Sequence, residues 1–365
     1  MPNREFNRGA VRLHLTNIIG LGAVSLLQSL LPSLVSQRNY QIEEIYLPAK
    51  GLLSHFTLIE HGTKLSHYKR YLPNAISRLL ECTLLGGKFD GATPLLVFGD
   101  LPIRSKSKQT VFVQTSLLIP GANSGRQLGA IKYWIARWIF RRNLQYVSNV
   151  IVQTEAMKAA LTKGYPEIKG RIHVIAQPAP SWLIRSQLKR TKFYSSNELG
   201  LRLFYPAASY PHKNHQILSA IDQPSVWPVS ELTLTIPDNA NPNRAIPWIR
   251  CVDKLEPDAV IDAYRTADAL LFLSLTESFG FPLVEAMWIG LPIICPDLPY
   301  ARALCGETAI YFDPNSVLSL HAAIIELSNR RDVGWWPDWS TNLEKIPRDW
   351  TEVAEAMLHL TTAED

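Results

Sequence analysis

The sequence lacks any uninterrupted apolar run long enough to cross a bilayer. Its longest runs, Ala23–Val35 and Phe281–Pro296, are broken by Gln28 and Pro32 in the first and by Glu285 in the second. A spanning helix needs about 20 apolar residues. The opening residues, Met-Pro-Asn-Arg-Glu-Phe, also lack the apolar segment of a secretory signal. We therefore expect a cytoplasmic protein.

Cysteine is scarce, and none of the four cysteines has the paired spacing of a zinc or redox motif. They are Cys82, Cys251, Cys295 and Cys305. We predict that they are buried, reduced thiols. The sequence also lacks an Asp-x-Asp pair and any His/Cys ligand set, so we expect neither a metal ion nor another cofactor.

The net charge of +5 conceals an uneven distribution along the chain. Residues 1–180 hold 22 Lys and Arg against 9 Asp and Glu, whereas residues 181–365 hold 15 against 23. The two halves therefore carry about +13 and −8. This basic first half predicts an anionic partner or surface on that side of the molecule.

Short β-branched and aromatic runs alternate with helical periodicity, which is typical of parallel sheets flanked by helices. The predicted strands of the first half are Val11–Thr16, Gln41–Leu47, Pro94–Phe98, Thr110–Gln114, Asn149–Gln153 and Arg171–Ile175. Those of the second half are Leu201–Pro206, Leu232–Ile236, Trp248–Val252, Ala269–Leu273, Pro292–Cys295 and Ala309–Phe312. We predict an N-terminal α/β domain over 1–179, a linker over 180–200, a C-terminal α/β domain over 201–340 and a C-terminal segment with a final helix over 341–365.

The most informative stretch reads as a strand, a short loop and a helix. The strand ends near Leu275, and Pro282 stands where a first helical position belongs. Free N–H groups at that helix start can receive a phosphate. One turn inside the helix, Glu285 can accept bonds from two ribose hydroxyls, whereas Glu277 on the loop suits the hydroxyls of a transferred sugar. The predicted donor-binding residues are Glu277, Ser278, Phe279, Gly280, Phe281 and Glu285.

Glu277-(seven residues)-Glu285, with Ser-Phe-Gly-Phe-Pro between the two acids, resembles the signature of retaining GT-B glycosyltransferases of the large family 4. That family includes bacterial sugar transferases of lipopolysaccharide and capsule assembly. The resemblance extends from about Leu201 to Leu327 and is weaker in the first half, where Gly20-Leu-Gly22 contributes. It implies an α/β GT-B fold of two facing Rossmann-like domains with a crevice between them. It also implies a donor nucleotide on the C-terminal domain, an acceptor mainly on the N-terminal domain, and retention at the anomeric carbon.

The resemblance extends to further residues, with two departures. Lys213, before a helix that Asn214 would cap, is similar to the lysine that binds the donor diphosphate. Many relatives carry an arginine about five residues earlier, where Ala208 stands here, so Lys213 acts alone or with another cation such as Arg250. A further candidate is Gly22, near the donor phosphate and acceptor. Gln114 replaces a histidine and cannot serve as a titrating base. A donor phosphate oxygen would then take the acceptor's proton.

These residues predict a metal-independent hexosyltransferase. Its donor would be a GDP- or UDP-sugar, and its acceptor a hydroxyl of a glycan, expected to be a lipid-linked polysaccharide or lipopolysaccharide precursor. We expect no nucleic-acid partner. The alternatives are a GT-B sugar-nucleotide epimerase, against which the motifs offer no extra acid–base cluster, and a catalytically silent partner subunit, which the substitutions Ala208 and Gln114 leave open.

A predicted helix in the basic half, Arg126–Val147, suggests contact with a membrane surface. At 3.6 residues per turn, one stripe of apolar residues forms the predicted core face: Leu128, Ile131, Ile135 and Ile139. The neighbouring stripe combines tryptophan with arginine: Trp134, Arg137, Trp138 and Arg141. Both residue types suit the headgroup layer of an anionic membrane. We therefore expect peripheral binding to the inner face of the cell membrane; the alternative is that the tryptophans pack inward and the arginines are merely solvated.

Overall fold

A computed structural model describes residues 9–18, 21–57, 62–120, 127–194, 199–222 and 227–363. The chain divides into two compact units. The first comprises residues 1–177 together with 347–365, and the second comprises residues 178–346. Each unit is built on its own parallel sheet.

Seven parallel strands form the sheet of the first unit. They are β1 Gly9–His14, β2 Tyr40–Pro48, β3 Lys64–Tyr68, β4 Leu95–Phe98, β5 Gln109–Phe112, β6 Val147–Val152 and β7 Ile172–Val174. Their order is β3-β2-β1-β4-β5-β6-β7, so the winding direction reverses between β1 and β4. The intervening helices of eight or more residues are α1 Leu21–Val35, α2 Asn74–Thr83, α3 Gln127–Asn143 and α4 Glu155–Gly164.

The strands of the first sheet are apolar because helices cover both faces. β4 and β5 are buried along their whole length, and Phe89, Phe140 and Tyr165 are among the large side chains packed against this sheet. All six strands predicted for the first half are present, but β3 is absent from the prediction. Because β3 is an edge strand with mostly half-exposed side chains, its sequence carries only a weak apolar signal.

Six parallel strands form the sheet of the second unit. They are β8 Leu201–Tyr205, β9 Val229–Leu234, β10 Ile249–Cys251, β11 Ala269–Leu271, β12 Ile293–Pro296 and β13 Ile310–Phe312, in the order β10-β9-β8-β11-β12-β13. Its helices are α5 Ser181–Ser186, α6 Pro257–Thr266, α7 Phe281–Ile289, α8 Pro299–Cys305, α9 Val317–Asp332 and α10 Ser340–Leu343. Together the two sheets confirm the predicted pair of doubly wound α/β domains.

The last helix, α11 Trp350–Thr362, returns to the first unit. Asp349 caps its start by accepting from the N–H groups of residues 351 and 352. Gln37 Nε2 donates to the carbonyl of residue 351 at 3.0 Å, and Asn149 Nδ2 donates to the carbonyl of Leu360 at 3.1 Å. The final helix of the segment predicted over 341–365 therefore completes the packing of the first sheet, whereas residues 341–346 belong to the second unit.

The segment predicted as a linker is attached to the second unit in its described part. Its first residues form α5, and the backbone N–H of Arg190 donates to the carbonyl of Ile289 at 2.6 Å. The Arg190 guanidinium donates to three carbonyls at the end of α6, including that of Tyr264 at 3.0 Å. It thus supplies positive charge where the helix dipole is negative.

Helix α3 differs from the predicted amphipathic pattern. Ile139 is buried and Ile135 is partly buried, as predicted, but Ile131 is 59% exposed. The side chain of Leu128 lies outside the described part of the chain. At Ile131 the side of α3 that was predicted to be core therefore faces solvent. None of the described helices is long and apolar enough to span a membrane.

Candidate functional site

The winding direction of the second sheet reverses between β8 and β11. At such a switch point the loops after the two strands diverge and leave room for a ligand at the carboxyl ends. The loop after β8 leads to a short 3-10 turn, Pro211–Lys213, and the loop after β11 leads to α7. The two motifs singled out in the sequence therefore meet at one edge of one sheet.

Lys213 and Glu277 form an ion pair across this edge, between Lys213 Nζ and Glu277 Oε1. Their side chains retain 17% and 15% exposure, so the pair is sheltered yet open to solvent. The Lys213 ammonium also lies 5.9 Å from the ring centroid of Phe272, within the range of a cation–π contact. The sequence predicted both residues as ligand-binding groups but did not predict that they pair.

The backbone around Lys213 is held by hydrogen bonds from buried groups. The buried Tyr205 hydroxyl donates to the Lys213 carbonyl at 2.9 Å. The Leu275 N–H donates to the carbonyl of His212 at 2.8 Å, which ties the turn to the loop that carries Glu277. The prediction that Asn214 caps the next helix is wrong. Asn214 adopts a left-handed conformation (φ 53°) without a side-chain cap, and its amide donates to the Pro314 carbonyl at 3.2 Å.

Two histidines lie near Lys213 in the sequence, and the pKa of each is lowered. Burial, reinforced by the Lys213 charge, lowers the pKa of His215 to about 4. The same two causes lower the pKa of His212, against the opposing charge of Glu277. His215 packs against Tyr205 at a centroid distance of 5.1 Å. The positive charge at this edge therefore belongs to Lys213 and not to its histidine neighbours.

Gly280 begins the helix that follows Glu277. Its φ of 95° is in the left-handed region, which glycine adopts at no steric cost. The first turn of α7 contains Pro282, which has no N–H, and the N–H of Leu283 donates to the Gly280 carbonyl at 2.9 Å. Phe279 is fully buried and packs edge-on against Phe281 at 5.2 Å, so Phe279 supports the loop from the core side.

Glu285 is more deeply buried than the sequence predicted, with 7% of its surface exposed. Its Oε2 accepts a hydrogen bond of 2.7 Å from the hydroxyl of Tyr264, a fully buried residue of α6. Burial raises the pKa of Glu285 to about 7, although the Tyr264 hydrogen bond acts in the opposite direction. Glu285 is thus poised between its neutral and charged forms near neutral pH.

The additional cation suggested by the sequence is engaged elsewhere. Arg250, in the middle of β10, lies 3.7 Å from Glu231, measured between Nη1 and Oε2. Arg202 pairs with the same carboxylate at 3.3 Å. Ala208, where relatives carry arginine, lies exposed before the turn that holds Lys213. The described contacts of Arg250 therefore do not bring it to the Lys213–Glu277 pair.

The predicted residues of the first unit lie near the carboxyl edge of its sheet. Gly22 is the second residue of α1, and a side chain there would meet no atom within 4 Å, so packing within the unit does not require glycine. Gly20 lies outside the described residues. The N–H of Gln114 donates to Asp100 Oδ1 at 2.6 Å, directly after β5. Burial raises the pKa of Asp100, which has a left-handed φ of 74° after β4.

The sequence analysis did not predict a buried charged network at the carboxyl edge of the first sheet. His14 and Glu81 are fully buried, with His14 Nε2 2.8 Å from Glu81 Oε1. Thr16 also bonds to Glu81, and Arg70 bonds to Glu81 and to Asn17. Burial alone would raise the pKa of Glu81, but these partners lower it to about 2. The residues of this network come from separate parts of the sequence, so no local motif indicates that they meet.

All four cysteines are free thiols, three of them buried. Within the described residues, no group of three or more His, Cys, Asp or Glu side chains has the arrangement of a metal site. The groups at the switch point of the second sheet are a lysine, two glutamates and a helix start. Together they match the charge and hydroxyl pattern of a sugar diphosphate attached to a ribose.

Part of this site resembles a known protein family. Residues 249–334, which include the loop after β11 and all of α7, match the family model described as "Glycosyl transferases group 1". This stretch is therefore similar to the group 1 glycosyltransferases. The matched residues include both glutamates of the motif, whereas Lys213 lies before them.

Individual relatives extend the likeness. Over 199 residues the chain is 23% identical to the serotype-specific mannosyltransferase WbdA of Escherichia coli, which covers 54% of this chain and 23% of WbdA. The chain thus spans about a quarter of that relative's length. The crystal structure of WaaG, a glycosyltransferase involved in lipopolysaccharide biosynthesis, superposes with a TM-score of 0.64 at 14% identity, covering 97% of this chain and 100% of WaaG.

A second solved structure agrees in fold. Anabaena Alr3699/HepE, in complex with UDP and glucose, superposes with a TM-score of 0.61 at 13% identity, covering 98% of this chain and 100% of that protein. At this identity the likeness establishes the fold alone. Together the comparisons confirm the predicted GT-B fold and the resemblance to glycosyltransferases of bacterial polysaccharide assembly.

Proposed function

We propose that this protein transfers a hexose, with retention at the anomeric carbon, from a GDP- or UDP-sugar to a hydroxyl of a glycan acceptor. The acceptor we propose is a lipid-linked precursor of a polysaccharide or lipopolysaccharide. The observation that carries the proposal is the Lys213–Glu277 pair at the switch point of the second sheet, beside the start of α7. The group 1 match and the fold of the UDP-bound relative support it.

In this proposal Lys213 neutralises the donor diphosphate as the glycosidic bond breaks, when negative charge grows on the leaving phosphate. The N–H groups at the start of α7 contribute to the same task, and no metal ion is required. When a donor binds, Glu277 exchanges part of its contact with Lys213 for hydroxyls of the transferred sugar. Glu285 accepts from the ribose hydroxyls.

The acceptor would bind at the first unit. Gln114 and Asp100 meet at the carboxyl edge of its sheet, with Gly22 at the start of α1. Gln114 cannot remove a proton, so a donor phosphate oxygen is the proposed base for the acceptor hydroxyl.

The first experiment incubates the pure protein with a panel of GDP- and UDP-sugars and measures thermal stabilisation, since a ligand that binds only the folded state raises the melting temperature. Release of nucleoside diphosphate in the presence of a glycan acceptor then reports transfer. Lys213→Ala should abolish transfer, whereas Lys254→Ala should not, because Lys254 pairs with Glu256 on the exposed surface of the same unit. Absence of stabilisation by every sugar nucleotide would contradict the proposal.

We further propose that α3 binds an anionic membrane surface. Trp134 and Trp138 are 66% and 47% exposed and continue the stripe that begins at Ile131. The exposed Arg142 adjoins them, with its guanidinium 5.5 Å from the ring centroid of Trp138, and Lys132 is a second exposed cation on the same helix. Each basic residue near an anionic leaflet contributes about 1 kcal/mol of attraction. The stripe therefore combines apolar area with the positive charge of Arg142 on one helix face.

The structure changes which arginines test this idea. Arg141 pairs with Glu167 at 3.4 Å and stacks on Tyr165, and Arg137 Nε donates to the Leu117 carbonyl at 3.1 Å. Reversing these charges would disturb contacts within the unit.

The sharper variant is Lys132→Glu with Arg142→Glu, which should weaken sedimentation with anionic vesicles at low salt while leaving sugar-nucleotide binding unchanged. The matched control is Arg38→Glu with Lys106→Glu, two exposed residues of the same unit that lie outside α3, before β2 and β5. Equal sedimentation of both double variants and the unaltered protein would refute the membrane proposal.

A further inference from the structure

The proposed donor site contains one contact that the glycosyltransferase motif does not include. Tyr264 is fully buried, and its hydroxyl donates to the carboxyl group of Glu285, at Oε2, over 2.7 Å. A buried tyrosine hydroxyl usually has a hydrogen-bond partner, and most side-chain hydrogen bonds are made to the backbone or to water. Here the acceptor is the carboxylate proposed to hold the ribose.

Tyr264 is itself fixed in place. Its ring packs edge-on against Phe204 of β8, at a centroid distance of 5.0 Å and an interplanar angle of 89°. Its backbone carbonyl accepts from Arg190 at 3.0 Å, which anchors the end of α6. Because contacts with the sheet and the anchored end of α6 fix Tyr264, its hydroxyl determines the position of the Glu285 carboxyl group.

The Tyr264 bond uses one acceptor position of a carboxylate that has about four. The remaining positions suffice for two vicinal hydroxyls, provided that the carboxylate keeps one orientation. A glutamate without this partner would rotate about its last side-chain torsion, which is broad and has no strongly preferred angle.

We infer that Tyr264 is a positioning residue for nucleotide recognition: by fixing Glu285, it determines how strongly the site prefers a ribose over a deoxyribose. The inference rests on the proposed function, because it takes Glu285 as the ribose ligand. Tyr264 does not touch the nucleotide and acts only through the carboxylate.

The test compares binding of UDP with 2′-deoxy-UDP, and of GDP with 2′-deoxy-GDP, by calorimetry on the full chain. The unaltered protein should prefer the ribonucleotide of its proper base by about tenfold or more. Tyr264→Phe should reduce that preference by about three- to tenfold. The matched control, Tyr165→Phe, removes an equally buried hydroxyl that donates to the Leu118 carbonyl at 2.8 Å in the first unit, and it should leave the preference unchanged.

A double-mutant cycle separates positioning from general destabilisation. In a Glu285→Gln background, Tyr264→Phe should produce no further loss of ribose preference. The double variant has no carboxylate at position 285 that would be left buried without the Tyr264 hydroxyl. It therefore remains informative if Tyr264→Phe alone folds poorly. A further loss in the Glu285→Gln background, or an unchanged preference in Tyr264→Phe, would overturn the inference while leaving the proposed function intact. Absence of any UDP or GDP binding to the unaltered protein would overturn both.

Discussion

Replacing Glu285 by glutamine should make the free protein more stable and the donor complex weaker. The pKa of Glu285 is raised to about 7 from an ordinary value of 4.5, because the folded chain buries its carboxylate. A carboxyl group whose pKa is raised by folding contributes its full stability below pH 4.5 and loses it as pH rises through 7, because the carboxyl group ionises more easily in the unfolded chain. At 1.36 kcal/mol per pKa unit, this corresponds to about 3 kcal/mol at pH 8. Glutamine keeps the shape and accepts from Tyr264 without that cost.

The assay is denaturant unfolding at pH 5 and pH 8, with and without the nucleotide that binds best. The stability difference in favour of Glu285→Gln should widen by about 2 to 3 kcal/mol between the two pH values. In kinetics, the same variant should raise the donor KM or lower kcat by about tenfold or more, because a charge-assisted bond contributes about 1.5–3 kcal/mol. Glu256→Gln, at an exposed position, is the control for both measurements. A stability difference that does not vary with pH would refute the assigned burial of the charge, and unaltered kinetics would remove Glu285 from the site.

Three further predictions concern the two units. Lys213→Ala should reduce turnover far more than Lys254→Ala, as measured by nucleoside diphosphate release, and equal rates for the two variants would refute the role of Lys213. The pKa of Glu81 is held at about 2, so its contribution of about 3 kcal/mol to folding stability is present above pH 4.5 and is lost as pH falls through 2. Glu81→Gln should therefore lower the melting temperature at pH 7 and weaken the dependence of stability on pH in acid. A variant as stable as the unaltered protein would contradict the network. Turnover should persist in excess chelator, and its loss with recovery on adding magnesium would show that Lys213 and α7 do not suffice.

The alternation of apolar strands with helices predicted both sheets because each strand runs through a buried layer. Every predicted strand overlaps an observed one, and β3 escaped because an edge strand with polar side chains carries little of that signal. The strand–loop–helix of Glu277 and Gly280 was equally accessible, since a short sequence contains the whole turn.

Contacts between distant segments were not accessible from the sequence. Lys213 meets Glu277 across 64 positions, and Glu81 meets Thr16 across 65. The exposure of Ile131 also depends on which neighbours cover α3, and the helical period cannot supply that information.

The two buried glutamates imply one more measurable difference between the units. Glu81 has charged and polar partners in the folded chain and is therefore ionised at any physiological pH. Glu285 has Tyr264 as a hydrogen-bond partner and divides between charged and neutral forms near pH 7. Ribose hydroxyls that donate to Glu285 would favour its charged form, so nucleotide binding at pH 7 should release up to about half a proton.

Calorimetric titration in two buffers of different ionisation enthalpy measures this release directly. Glu285→Gln should abolish the buffer dependence that comes from the carboxyl group, leaving only the part due to the nucleotide phosphate. The same dependence in Glu285→Gln and in the unaltered protein would show that the ribose does not meet this carboxylate. A smaller buffer dependence in Glu285→Gln than in the unaltered protein would instead identify Glu285 as the group whose charged form the bound nucleotide stabilises.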